Sequence, residues 1–518
     1  MKLFENRYTQ TIFFINLITV ILIAVGFLPR EISFISLAIL IIYALTSAKE
    51  ALTLFFSSVP FFIALPITNL FDNFNTWRIV IIVIFIKWFI TRINLKESIT
   101  LSKVKTYFKN NRIEFVSFLI LIISIISFAK AFDLIVAGKR IIYFINLAMA
   151  YALVKSSTSS DINFAIKLMK SFLVGAVAVA MIGLLQLMGA LTLDFSTFHY
   201  LWAKQIDLAL FGQNWSDIAY QANTWYSYSG NNLKLRVFSI FPDSHSMPIY
   251  LIFSLISIYY LFTSKIADLS NRLLTSIKKH DKELKPLFLL FLLIAALIIL
   301  SQTRGIWLAL LAPIIFGIYY KNKLLVPKII PSVLISSAII FLLIFIATYS
   351  ITSLPQFKTS SSNHTTAFIS RLFSIGDLNE TSNMGRIAIW RSTFISITKN
   401  PFLGVGIGNY PVALNQNVAL AKAGSSAHNL YLTMIAEIGM LGGLLFIWLC
   451  FLFYKQAKEL MSSQNDTFKI FGFYFSAMLL WIYFYSLTDA ALLDERAFLA
   501  FMLFTGITAG LTKKTYAK

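Results

Sequence analysis

Charge is what this chain has least of. Only 13% of its 518 residues are Asp, Glu, Lys or Arg, against 58% apolar. Soluble domains carry about 25% charge, so the composition excludes an ordinary soluble globule and points to a polytopic membrane protein. Cysteine is nearly absent too. Cys450 stands alone inside an apolar run, which rules out an internal disulfide or a cysteine-based metal site. Missing as well are an Asp-x-Asp pair or a His/Asp/Glu cluster with metal-ligand spacing on the outer side, a Gly-x-Ser-x-Gly nucleophile elbow and a P-loop. Nucleotide-powered chemistry is therefore not expected, and a reaction outside the membrane would need a substrate that arrives already activated.

The formal charge of +21 would suit nucleic acid only if the basic residues shared one solvated face. They lie instead in short loops between apolar runs, the pattern that orients a protein in a bilayer, so no nucleic-acid partner is expected. About fourteen apolar runs recur, near 11–28, 31–48, 51–68, 79–91, 114–130, 141–154, 171–191, 246–263, 286–301, 304–320, 329–349, 430–454, 469–487 and 496–512. The first ends in Phe27-Leu28-Pro29-Arg30 without a small-residue cleavage site and reads as a retained span. With the N-terminus inside, alternate loops hold most of the 44 Lys and Arg, which predicts cytoplasmic termini and two large loops facing outward.

The expected fold is an all-α polytopic bundle of about 12–14 spans. Its parts are N-terminal membrane helices over 1–191, a first extracytoplasmic loop over 192–245, central membrane helices over 246–349, a large extracytoplasmic loop over 350–429, and C-terminal membrane helices over 430–518. In the first loop Trp202, Trp215, Trp225, Tyr226 and Tyr228 stand beside amides, which suits either an interfacial aromatic belt or a platform for sugar rings. It ends Arg236-Val-Phe-Ser-Ile-Phe-Pro-Asp243-Ser-His245, where Asp243 or Ser244 can cap the next helix. Arg304 follows Ser301-Gln302-Thr303 at a span end, where it either snorkels to headgroups or holds an anion.

The second loop concentrates the polar chemistry. Residues 364–376 and 384–399 read as short interfacial helices; Arg386 and Trp390 share one face at i, i+4, with Arg391 pointing elsewhere. Gly404-Val-Gly406-Ile-Gly408-Asn409 follows a helix rather than a strand, so it reads as tightly bent backbone and not as a nucleotide fingerprint. His428 and Asn429 open the next span, where free N–H groups and the helix dipole favour an anion. Glu437, two turns deeper, is costly in lipid and predicts a side chain facing the bundle interior. Gly439 and Gly443 predict close helix packing.

These residues resemble the O-antigen ligase and O-antigen polymerase superfamily of bacterial membrane glycosyltransferases. The resemblance rests on Arg236 to His245, Thr303-Arg304-Gly305-Ile-Trp307, Arg386 with Trp390, Pro401 to Asn409, and His428-Asn-Leu-Tyr-Leu with Glu437-Ile-Gly439. It is sharp over about 230–450 and departs from the family pattern at Pro242-Asp-Ser-His-Ser, where Asp-Pro-Asn is expected. It implies transfer of a glycan from an undecaprenyl diphosphate carrier to an acceptor hydroxyl on lipid A core, a growing glycan or another acceptor. The reaction would use no metal or cofactor and would invert the anomeric carbon, at the outer face of the bacterial cytoplasmic (inner) membrane. On that reading Arg304 and Arg386, with Arg236, hold the departing diphosphate, because a guanidinium binds phosphate through two parallel bonds. His428 takes the acceptor proton, and Trp390, Arg391, Asn429 and Glu437 line or orient the site. Ligase and repeat-unit polymerase share this chemistry. A transporter of lipid-linked sugar is the alternative from another class, though it would be expected to carry a midplane site on broken helices.

Overall fold

The computed structural model describes residues 6–67, 74–92, 101–221, 225–229, 232–270, 277–321, 323, 327–351, 381–416 and 426–516. Every expected apolar run is wholly or partly helical. The N-terminal third contributes α1 (Arg7–Ala24), α2 (Ile32–Thr46), α3 (Ala48–Ser58), α4 (Thr76–Arg92), α5 (Leu101–Asn110), α6 (Arg112–Ser127), α7 (Leu134–Ser160) and α8 (Ile162–Thr192). The 192–245 segment holds α9 (Phe195–Tyr200), a π-helical turn at Leu201–Ile206, α10 (Asp207–Phe211), α11 (Gln213–Gln221) and a two-stranded ribbon, β1 (Tyr226–Ser229) with β2 (Asn232–Leu235). Then come α12 (Ser246–Ser270), α13 (Ile277–Leu300), α14 (Arg304–Ala309), α15 (Leu311–Lys321), α16 (Ile329–Ile351), α17 (Thr381–Lys399), α18 (Leu430–Leu460), α19 (Asp466–Tyr485) and α20 (Glu495–Tyr516). The fold is thus an all-α polytopic bundle, with the ribbon as its one small sheet among the described residues.

Eight of these helices are long and apolar enough to cross a membrane: α1, α6, α7, α8, α12, α16, α18 and α19. Others are cut short by identifiable residues. Proline at position 60 ends the third run as a 3-10 turn at Val59–Phe61. The loop after α7 is minimal because Asp161 both ends α7 and caps α8, accepting from the Phe164 N–H at 3.3 Å. The most deeply packed spans are α12 and α19, whose apolar windows are 78% and 72% buried, whereas α1 and α6 are 28% buried and face lipid. Their core is aromatic: Phe253 stacks on Phe504 and Tyr259 on Tyr474, while the Thr263 and Tyr474 hydroxyls bond at 2.7 Å so that neither polar group is left bare.

Among the aromatic residues of 192–245, Tyr200 and Tyr220 are exposed, whereas others are packed inside. Trp225, Phe198 and Trp202 are buried, and Trp225 and Trp202 pack on Phe238, the residue two past Arg236. They form a small core that holds the end of the loop, rather than a belt or an open platform. The interfacial helix expected at 384–399 is present and begins three residues earlier, as α17; Met384, Ile387, Phe394 and Ile395 are its exposed apolar side chains. The helix expected at 364–376, and much of the 350–429 loop, lie outside the described residues.

Candidate active site

Four chain segments converge at one end of the bundle, held by hydrogen bonds to the helices and to one another. The 236–245 segment is cradled by Gln186 of α8, whose side-chain oxygen accepts the N–H groups of Phe238 and Ser239 at 2.9 Å each, while the Ser239 hydroxyl donates to Val179 O at 2.7 Å. Asp243 caps α12, accepting from the N–H groups of His245 and Ser246 at 2.8 Å each. The 301–305 segment joins it, because the Thr303 hydroxyl donates to Ser244 O at 2.8 Å. Gly305 carries no side chain for a steric reason: a Cβ there would lie 2.4 Å from the Thr488 hydroxyl oxygen and 3.1 Å from the Tyr485 ring.

The third segment, 426–430, is tied down at both ends. Leu430 N–H donates to Ser486 O at 2.8 Å, and the indole N–H of Trp390 donates to Ala427 O at 2.8 Å. Asn429 caps α18 by accepting the Leu432 N–H at 3.1 Å. The fourth segment is the loop after α19, which supplies the residue around which the others gather: Asp489.

One Asp489 carboxylate oxygen stands 3.3 Å from His245 Nδ1 and 3.5 Å from His428 Nδ1. His245 Nδ1 is also 3.1 Å from the Tyr485 hydroxyl. The charge of Arg386 acts on both Asp489 and Tyr485, and that of Arg236 on Tyr485. Burial would raise the Asp489 carboxyl, but His245, the hydrogen bond and charge of His428, and Arg386 together hold it at about 2. Burial pushes His245 down, against the opposing pull of Asp489 and Asp243. The imidazoles differ in access: the His428 side chain is 43% exposed and that of His245 25%, so His428 is the one better able to meet a substrate. Among the described residues, no three His, Cys, Asp or Glu side chains come together as metal ligands.

The structure thus brings His428, Arg386, Arg236 and Trp390 together. The Arg304 segment lies against Thr488 and Tyr485 by way of Gly305. Arg391 is exposed on α17, and Asn429 spends its side-chain oxygen on the helix cap. Glu437 is buried, as expected, and serves the glycine turn and the residue that follows Asn409: it accepts the Gly408 N–H at 2.9 Å and the Tyr410 N–H, and faces the charge of Arg140. That turn is the close-packed backbone the sequence suggested. Gly404, Gly406 and Gly408 all have positive φ, and a Cβ on Gly404 would fall 2.3 Å from Ala436 O and one on Gly406 2.4 Å from the Ala131 Cα. Gly439 breaks α18 with φ 76 so that Phe402 can pass, its Cβ position lying 2.0 Å from Phe402 O. Asn409 locks the turn to the start of α7, accepting the Asp133 N–H at 2.8 Å.

Sequence reasoning missed Asp489 and Tyr485 and set His245 aside because it departs from the family pattern. The available signal was the short segment 488–495, which carries Asp489, Asp494 and Glu495 between two apolar runs, where charge is costly. No curated protein matches the chain. Residues 289–447 match the family model described as O-antigen ligase, a stretch that contains Arg304, Arg386, Trp390, the glycine turn, His428 and Glu437 and stops short of Asp489. Over these residues, about a third of the chain, the protein is similar to the O-antigen ligase family, which supports the resemblance read from the sequence.

Proposed function

We propose that this protein is an O-antigen ligase-like glycosyltransferase that moves a glycan from an undecaprenyl diphosphate carrier to an acceptor hydroxyl at the outer face of the cytoplasmic membrane. The observation that carries the reading is the convergence on Asp489. Two imidazoles share one buried carboxylate beside guanidinium groups, at the bundle end remote from Lys155, Lys455 and Lys513. With its Nδ1–H directed at Asp489, His428 presents Nε2 as the base. The acceptor O–H proton passes to Nε2 while the acceptor oxygen bonds to the anomeric carbon. The bond from that carbon to the diphosphate oxygen breaks on the opposite side, inverting the configuration, and the lipid diphosphate departs with the electron pair. Asp489 stabilises the imidazolium that results and fixes the ring's tautomer.

The leaving diphosphate gains negative charge that Arg236, Arg304 and Arg386 balance, and fixed donors of this kind are typically worth about 10²–10³ in rate each. Trp390 positions His428 through Ala427, and Glu437 acts by holding the glycine turn. The basic helix ends face the cytoplasm, in keeping with the positive-inside rule. The acceptor is lipid A core for a ligase or a growing glycan for a polymerase. The test is purified protein supplied with lipid diphosphate-linked donor and each acceptor. Covalent transfer is expected, and His428→Ala should abolish it at normal protein level while donor accumulates. Wild-type output from that variant would remove His428 from the reaction, and passage of unmodified donor across vesicles without transfer would favour a transporter.

A further inference from the structure

An apolar cavity of about 660 Å³ lies between α4, α5, α6, α7, α18 and α20, extending from Met434 near the start of α18 to Lys513 near the end of α20. Trp88, Phe118, Phe144, Phe446 and Phe453 are among its walls. It adjoins a second, wetter cavity of about 890 Å³, sharing Asn111, Glu114, Lys155 and Lys513 with it. That second cavity is rimmed by Lys109, Arg112, Lys155, Lys455 and Lys513 against the carboxylates Glu114 and Glu459, a formal lining charge of five minus two, or +3. The cations come mainly from four long helices and stand near helix ends: Arg112 opens α6, Lys155 is five residues from the end of α7, Lys455 five from the end of α18, and Lys513 three from the end of α20. These ends are where headgroups lie, and the ring-lined slot runs from them into the hydrocarbon depth of the bundle.

A soluble phosphate would use only the rim, and a hydrocarbon chain only the slot. The two together, continuous and of opposite character, fit an amphiphile with an anionic head. Zwitterionic headgroups leave the +3 lining uncompensated. We propose that this paired cavity holds one anionic diacyl phospholipid, its phosphate among Lys109, Arg112, Lys455 and Lys513 and an acyl chain in the slot beside Trp88. Basic pockets between membrane helices recognise phosphate headgroups by the same attraction, about fivefold in affinity for each Lys or Arg near the surface. The basic rim at Lys455 lies some 25 residues along α18 from its start beside His428, while the apolar slot reaches back toward that start as far as Met434. The phosphate end of the site is therefore separate from the proposed transfer chemistry.

The test uses the full chain in a non-ionic detergent, titrated with phosphatidylglycerol whose acyl chains carry bromine, a contact quencher of indole fluorescence. Saturable quenching near one lipid per chain is expected, and the component lost in Trp88→Phe identifies Trp88 as its reporter. Brominated phosphatidylcholine should need at least tenfold more lipid. Lys455→Ala with Lys513→Ala should shift the phosphatidylglycerol midpoint about 25-fold, two lysines at about fivefold each. Ala152→Phe, which fills the slot and leaves the rim intact, should abolish the Trp88 component, with unchanged melting in lipid-free detergent showing that the variants fold. Equal quenching by both lipids, an unmoved midpoint in the double variant, or displacement by undecaprenyl phosphate but not by excess diacyl lipid would overturn the assignment.

Discussion

Replacing Asp489 by asparagine keeps the side chain's size and removes its charge, so it isolates what the carboxylate contributes to the two imidazoles and the guanidinium groups around it. The side chain is 10% exposed, so little solvent screening intervenes. The carboxyl is held at about 2 against an ordinary value near 3.8, with burial working in the other direction. At 1.36 kcal/mol for each tenfold change, that difference is on the order of 2 kcal/mol of preference for the charged form. A neutral amide in that position cannot supply it, so the imidazolium formed when His428 takes the acceptor proton loses up to that much stabilisation. The expected result is a fall in kcat of roughly 30-fold, with KM for the lipid-linked donor changed less than threefold, since the loss falls on the transition state. Folding gives an independent readout. A carboxyl whose folded value lies below its unfolded one contributes stability that is complete above about pH 4 and is lost as pH falls to about 2. The wild type should therefore exceed the variant in thermal stability in detergent at pH 7, and the gap should close toward pH 2. A kcat loss under threefold, or a loss confined to KM, would refute the role given to Asp489.

Arg386→Lys and Arg304→Lys keep the charge and remove the planar fork. Each should lower transfer by at least tenfold in the donor-turnover assay, and full activity in both would show that paired phosphate bonds are the wrong account. Gly439→Ala should lower folded yield and melting temperature sharply, as φ 76 and a Cβ only 2.0 Å from Phe402 O leave a side chain no room. Melting curves and detergent-solubilised yield are the measurement. His245 has its imidazolium disfavoured by burial, so its contribution to stability is present above about pH 6.5 and falls as the pH drops below that value. In His245→Gln the decline in melting temperature from pH 7 to pH 5 should be shallower than in the wild type.

Much of the bundle was legible because a membrane span is written locally. About twenty apolar residues and a basic end suffice to mark one, and the glycine turn announced itself by residues that tolerate positive φ. The helix cap at Asp243 was legible for the same reason, since a cap and its N–H partners lie within three residues of each other. The next span was expected to be capped by Ser425 or Ser426 and is capped by Asn429 instead. The site was legible only in part. His245 meets Tyr485 across 240 positions and His428 meets Asp489 across 61, and no periodicity links residues so far apart. Glu437 was rightly expected inside, but an apolar sequence around a carboxylate cannot say which N–H groups it will accept, and here they are those of Gly408 and Tyr410. The packed rings of 192–245 were misread because their composition suits lipid, sugar and a packed core alike, and only the position of Phe238 between Trp202 and Trp225 decides for the core.

The backbone also distinguishes the convergence on Asp489 from a chance meeting of polar side chains. Among the described residues four that are not glycine have positive φ, and three of them, Ser239 at 55, Gln302 at 53 and His428 at 46, lie in the three segments that reach the loop after α19. Such conformations cost about 1–3 kcal/mol each and persist only where the surroundings over-determine them. The surroundings here are separate: Gln186 and Val179 fix Ser239, the Thr303 bond to Ser244 follows directly on Gln302, and Trp390 with Ser486 brackets His428. The Ser239 and His428 segments are held by different helices, so strain at one is not relieved by movement of the other. The geometry between the imidazoles, the carboxylate and the guanidinium groups is therefore fixed by the bundle before a substrate arrives, which is the condition under which fixed charges favour a transition state most strongly.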